Sequence, residues 1–300
     1  DLTLAPRQIT LAPIPSDGDL VAITNQTGLY VFDLKSGMTN LVFESWVAGG
    51  LSPEQPFWSP DAKKMALVLA SPMYGCLASQ LVLADTEKRI ARVVSSSAAR
   101  IQILGWTQNG QQLLFWSGNE LLAVDSTGAE GVKPYTLPNA PPETLKKWFA
   151  YGAAISRDLT RVAFVPILTS GNHTTLHIAN LRTGAEQTIG INAPDLERIQ
   201  WSPDGRYILA KAGLAGVLLI DTQNNNLARQ LDFYALPLRN SWSADSARIA
   251  VILAEDGGHD LPKLGIYTIK TGQLKTYPMG FMRLSDGAWR LEVGLQGQGK

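Results

Sequence analysis

The chain has a single cysteine, Cys76, among 300 residues, which excludes an internal disulfide framework and a cysteine-built zinc cage. It lacks an excess of either charge, with 26 basic and 26 acidic residues. No broad basic field is therefore available to hold a nucleic acid or an anionic membrane, and no nucleic-acid partner is expected. Long apolar runs are also missing. The stretch Gly216-Val217-Leu218-Leu219-Ile220 is far short of the ~18 residues a membrane span needs, so no span is expected in this chain. Helical periodicity of useful length is absent apart from a short turn at 142–149. What remains is a chain of 45% apolar and 17% charged residues, able to bury a large core.

One short motif recurs. Trp201-Ser202-Pro203-Asp204-Gly205 stands between two strand-forming stretches, with Ile199 and Trp201 alternating against polar neighbours before it and Tyr207-Ile208-Leu209 after it. Proline presets the second position of a tight turn, aspartate tolerates the third, and glycine accepts positive φ. Related copies are Ser16-Asp17-Gly18, Trp58-Ser59-Pro60-Asp61, Trp106-Thr107-Gln108-Asn109-Gly110, Ile155-Ser156-Arg157-Asp158, Trp242-Ser243-Ala244-Asp245 and Leu284-Ser285-Asp286-Gly287. The Asp or Asn markers at 17, 61, 109, 158, 204, 245 and 286 are 44, 48, 49, 46, 41 and 41 residues apart. That is the spacing of four-stranded propeller blades.

Each of the first six copies is followed by a second strand, at residues 20–24, 65–70, 113–116, 161–165, 207–210 and 248–253. A third strand follows, at 29–33, 81–85, 121–125, 176–180, 217–221 and 264–268, and then a polar turn such as Lys35-Ser36-Gly37. A more polar fourth strand completes the unit, as suits an exposed edge. The Trp-Ser-Pro-Asp-Gly hairpin followed by an Asp-turn hairpin resembles the Pro-Asp version of WD-type repeats found in TolB-like β-propellers. The resemblance covers nearly the whole chain, without the separate N-terminal domain of TolB itself, and implies an all-β single propeller domain over 1–300. The repeats lie at about 8–44, 51–94, 98–138, 148–190, 196–231 and 236–278. A seventh, incomplete repeat at 281–294 is expected to be sealed by an N-terminal strand at residues 1–5, giving seven blades. Six blades plus a C-terminal extension is the alternative.

The repeated aspartates are one per blade and read as turn residues. Trp58, Trp106, Trp201 and Trp242 read as packing residues. Function is expected in the long connections at 44–56, 71–80, 137–151, 166–175 and 254–263, because variable loops on a rigid scaffold carry binding. They bring Trp46, Tyr74, Trp148, His173 and His259 forward as partner-binding candidates, since aromatics are favoured at interface cores. Asp256 and Asp260, in the segment Glu255-Asp256-Gly257-Gly258-His259-Asp260, are weak candidates for calcium, which prefers oxygen ligands. Their spacing does not match the twelve-residue calcium loop, and no cofactor is expected. His177 lies within a strand and reads as structural.

A Gly-x-Ser-x-Gly elbow, the Ser-x-Asp-x-Gly-x-Thr-Trp box of sialidases and glycine-rich phosphate loops are all missing. The reading is a non-catalytic, monomeric binding or scaffold propeller with a protein or peptide partner, belonging to an exported or cell-envelope assembly. The chain starts at Asp1 without an initiator methionine, as either removal of an export signal or trimming of the chain would leave it. The alternative is a propeller enzyme or lectin acting on a carbohydrate or small molecule at the channel mouth.

Overall fold

Every regular element described in the computed structural model is a strand. The structure describes residues 8–11, 19–25, 27–44, 51–71, 79–118, 120–136, 153–165, 174–191, 196–212, 216–224, 227–233, 241–243, 245–253, 263–279 and 292–295. After β1 (Gln8–Thr10), blade 1 takes β2 (Leu20–Thr24), β3 (Gly28–Asp33) and β4 (Thr39–Glu44). Blade 2 is β5 (Ser52–Trp58), β6 (Lys64–Ala70), β7 (Ser79–Asp85) and β8 (Ile90–Ser97). Blade 3 is β9 (Ile101–Trp106), β10 (Gln112–Ser117), β11 (Glu120–Asp125) and β12 (Val132–Pro134). Blade 4 is β13 (Ala154–Ile155), β14 (Arg161–Phe164), β15 (Thr174–Asn180) and β16 (Glu186–Ile191). Blade 5 is β17 (Glu197–Trp201), β18 (Tyr207–Lys211), β19 (Val217–Asp221) and β20 (Leu227–Leu231). Blade 6 has β21 (Arg248–Leu253), β22 (Lys263–Thr268) and β23 (Gln273–Pro278). The bridge Trp242↔Ile249 marks its first strand.

The last strand, β24 (Glu292–Leu295), settles the blade count. It does not open a seventh blade. It pairs antiparallel with β2, Val21 opposite Leu295 and Thr24 opposite Glu292, and so supplies the first strand of blade 1 in the order β24-β2-β3-β4. The described residues form six sheets, and the seven-blade expectation is corrected to six. The physical reason is an open edge. β1 pairs with β8 on the outer edge of blade 2, which leaves the inner edge of β2 unfilled until β24 covers it. Residues 1–5, expected to seal the ring, lie outside the described residues.

The chain divides into two compact units, residues 1–135 with 239–300 and residues 136–238. In the first, one apolar layer joins Leu20, Ala22, Leu29 and Val31 of blade 1 to Met65, Leu67, Leu69 and Val82 of blade 2, with Leu11 added from the end of β1. The opposite face of blade 2, Ala66, Val68, Leu81 and Leu83, packs on Ile101, Ile103, Trp106 and Phe115 of blade 3. Both faces of β6 are thus buried, which is why Met65 to Ala70 reads as an unbroken apolar run instead of an alternation. In the second unit, Ala163, Leu176 and Ile178 of blade 4 meet Ile199, Trp201, Ile208 and Ile220 of blade 5. Each fully buried Leu or Ile contributes about 1.5–3 kcal/mol.

The repeated turn is a hydrogen-bonded device. Ser59 Oγ donates to Asp61 Oδ1 at 2.6 Å, and the same oxygen accepts the Lys63 N–H at 3.1 Å. Ser59 Oγ accepts the Lys64 N–H at 2.9 Å, closing the hairpin. Ser156 with Asp158, Ser202 with Asp204 and Ser243 with Asp245 repeat it, and Thr107 with Asn109 reproduces it with a neutral acceptor. The next residue is left-handed in all five copies, at φ of 59° for Ala62, 69° for Gly110, 58° for Leu159, 69° for Gly205 and 60° for Ser246. Only two of these are glycine. The serine–aspartate pair holds the strained angle elsewhere.

The residue that opens the second strand also ties neighbouring blades together within each unit. Lys64 Nζ donates to the Ser126 carbonyl at 2.7 Å. Arg161 donates to the Gly205 carbonyl at 2.6 Å and lies 4.6 Å above the Trp201 ring. Arg248 forks onto the Asp19 carboxylate, with Nη2 on Oδ1 at 2.8 Å and Nη1 on Oδ2.

Candidate binding face at the loop-bearing end

Antiparallel order puts the tight turns of each blade at one end and the connections between second and third strands at the other. Within each unit the connections between blades join that second end. All seven residues proposed from sequence as site residues, Trp46, Tyr74, Trp148, His173, His259, Asp256 and Asp260, fall in such connections and lie outside the described residues. Among the described residues, no group of three or more His, Cys, Asp or Glu side chains could hold a metal ion.

What is described at this end is a polar seam between blades 2 and 3. Gln55 sits in a bulge of β5 with φ of 53°. Its buried amide bridges to the next blade, Nε2 donating to the Ile101 carbonyl at 3.1 Å and Oε1 accepting the Ile103 N–H at 2.9 Å. Ser79 Oγ donates to the Ala99 carbonyl at 2.8 Å and accepts the Ile101 N–H at 2.9 Å. Ser117 Oγ donates to Ser97 Oγ at 2.8 Å. At the rim, Arg100 reaches Glu54 at 3.5 Å with most of its side chain in solvent. Each buried hydrogen bond is worth about 1 kcal/mol, and leaving one partner unmade costs more. The seam therefore fixes the strand ends from which the connections at 45–50 and 72–78 spring.

At the other end the turn carboxylates are strongly held. Burial alone pushes the Asp61 carboxyl up, but the Ser59 hydroxyl, the Lys63 N–H and the Lys64 charge more than offset this, so its pKa lies below the usual carboxylate value. Asp158 behaves the same way through Ser156 and Thr160. In the turn after β11, burial again opposes ionisation of Asp125, and hydrogen bonds from the Thr127 hydroxyl and the N–H groups of Glu130 and Thr127 hold it at about 2. A carboxylate whose pKa is lower folded than unfolded contributes stability above the unfolded value and loses it as pH falls through the folded one. The urea midpoint should therefore be steady above roughly pH 5 and decline between about pH 4 and 2. Asp125→Asn should flatten part of that decline. A native profile flat down to pH 2 would contradict the assignment.

Trp106 and Trp201 are buried, and their Nε1 groups donate to the preceding blade's first strand, at Phe57 O (3.3 Å) and Ala154 O (3.0 Å). They are built into blade contacts, as expected of packing residues. One arrangement escaped the sequence. His177 Nδ1 contacts Glu186 Oε1, and His177 Nε2 lies 3.1 Å from Thr175 Oγ1. The sequence signal was the alternation of Thr175 and His177 on one strand, with Glu186 two residues past Gly184 of the following turn.

No protein-family model and no curated protein matches the sequence. Among solved structures the chain is similar to TolB from Acinetobacter baumannii, at 18% identity and a TM-score of 0.50, over 86% of this chain and 69% of that one. It is also similar to a putative TolB from Agrobacterium tumefaciens, at 14% identity and a TM-score of 0.55, over 88% and 89%. The fold is a TolB-like β-propeller. At these identities the likeness is one of fold. In this chain, residues in and beside the turn motif hold neighbouring blades together.

Proposed function

We propose that the chain is a non-catalytic propeller that binds a protein or peptide partner through its loop-bearing end, as part of an extracytoplasmic assembly. The observation that carries this reading is the seam of Gln55, Ser79, Ser97 and Ser117. Its hydrogen bonds are spent between blades and anchor the variable connections on fixed strand ends. Loops on such a scaffold suit recognition, and aromatic side chains in them give an interface its anchors. Trp46, Tyr74, Trp148, His173 and His259 are the proposed contacts. The extracytoplasmic setting follows the resemblance to TolB-like propellers and is checked by cell fractionation.

The test is affinity capture from the native compartment, followed by titration of the recovered partner. Trp46→Ala, Tyr74→Ala and Trp148→Ala are each expected to weaken binding by about tenfold or more, as hot-spot truncations of over 1 kcal/mol do. Recovery of no partner, together with turnover of a sugar or ester library, would overturn the proposal.

A further inference from the structure

The outer half of blade 4 carries a hydroxyl, an imidazole and a carboxylate in series, starting from the end of β15 that adjoins the connection at 166–173. Register puts them on one face of the sheet. Thr175 and His177 are two apart on β15, with Phe164 opposite His177 on one side and Thr188 opposite it on the other. Glu186 pairs with Ala179, and so shares the face of His177. The Phe164 ring lies 5.3 Å from the imidazole at 34° and backs it. His177 is mostly buried and Glu186 half-exposed, so solvent reaches the series from the Glu186 side.

For a neutral imidazole the contacts order the protons. A carboxylate oxygen only accepts, so the ring nitrogen facing Glu186 carries the hydrogen. In the neutral imidazole the other nitrogen, Nε2, is then bare, and Thr175 Oγ1 donates to it. A hydroxyl donating to an imidazole that is itself oriented by a carboxylate is the arrangement that raises the nucleophilicity of an alcohol. Room exists beside it. Gly190 stands directly opposite Thr175, is exposed, and a Cβ placed there would meet no atom within 4 Å.

We propose that Thr175 is a reactive hydroxyl that accepts a small acyl group from an activated ester, with His177 as its base and Glu186 as a positioning residue. Thr175 Oγ adds to the ester carbonyl carbon while His177 Nε2 takes its proton. The carbon–oxygen bond to the leaving alcohol then breaks, and that oxygen leaves with the proton from the imidazolium. No electrons change hands beyond this exchange of one ester for another. Glu186 keeps the hydrogen on Nδ1 and steadies the imidazolium while it exists. The open space over Gly190 takes the acyl group. The assignment is independent of partner binding and concerns one acyl group per chain.

The full-length chain incubated with p-nitrophenyl acetate and mapped by peptide mass spectrometry tests this. One acetyl group is expected on Thr175. Thr175→Val, which keeps the shape and leaves His177 against Phe164, should abolish it. His177→Gln should slow labelling about 100-fold, the scale of a lost general base. Glu186→Gln should slow it too, and nitrogen-15 spectra should show the imidazole hydrogen moving from Nδ1 to Nε2. Glu186→Asp should restore both. Acetylation confined to lysines, or labelling of Thr175 at the native rate in the folded His177→Gln variant, overturns the proposal.

Discussion

Removing residues 292–300 should lower the melting temperature by about 10 °C and strip hydrogen-exchange protection from the Ala22 and Thr24 amides, which face β24. The segment contains β24, whose four residue pairs with β2 fill the inner edge of blade 1. Taking about 1 kcal/mol net for each of some four ladder hydrogen bonds gives a loss of about 4 kcal/mol. In a domain of this size each kcal/mol moves the midpoint by about 2–4 °C. The uncovered edge of β2 is a template for pairing with other chains, so the truncated protein should also aggregate on heating. Calorimetry with exchange mass spectrometry decides the matter. Unchanged melting, with Ala22 and Thr24 still protected, would show that β24 does not hold the edge of blade 1.

Arg248→Ala should cost about 3–5 kcal/mol, the most of any single charge removal argued for this chain. Arg248 and Asp19 are mostly buried, at 16% and 22% side-chain exposure, and meet as a two-pronged pair between blades 6 and 1. The Asp19 hydrogen bond raises the Arg248 pKa, against the effect of burial. Deleting the guanidinium leaves a carboxylate largely out of water with nothing to neutralise it, and most of the cost arises there. The double variant Arg248→Met with Asp19→Leu should therefore be far less damaging than either truncation alone. Urea titration of the three variants forms the cycle, and additive losses would mean the two side chains act independently.

The second strands were legible because each follows a copy of the Ser-x-Asp turn with a run of apolar residues, and the third strands because each is a short apolar run that ends at a polar turn. The structure finds β2 at Leu20–Thr24, β19 at Val217–Asp221 and β21 at Arg248–Leu253, as the sequence implies. Closure was not legible. Residues 1–5 and 288–293 both have strand-forming composition, and which of them fills an edge depends on pairing across the whole chain, a term that local pattern does not contain. The left-handed Gln55 was hidden for a related reason: its bulge is tied to Ile101 and Ile103 of the next blade. The binding candidates were legible only as members of long connections. The series at His177 required the register of one hairpin, in which a two-residue step along β15 and a diagonal across to β16 bring three side chains together.

The pairing of β2 with β24 also sets a timetable for synthesis. Strands emerge from the ribosome in order, and domains form as they emerge. Blades 2 to 5 are each contiguous in sequence and can form as they appear. Blade 1, although made before them, stays a three-stranded sheet until Glu292–Leu295 arrives. While the later blades are being made its inner edge is unpaired, and such an edge invites wrong partners. A pairing between strands so far apart in sequence is also among the slowest contacts to form. A nascent chain stalled before residue 292 should therefore depend on chaperones far more than the finished protein does.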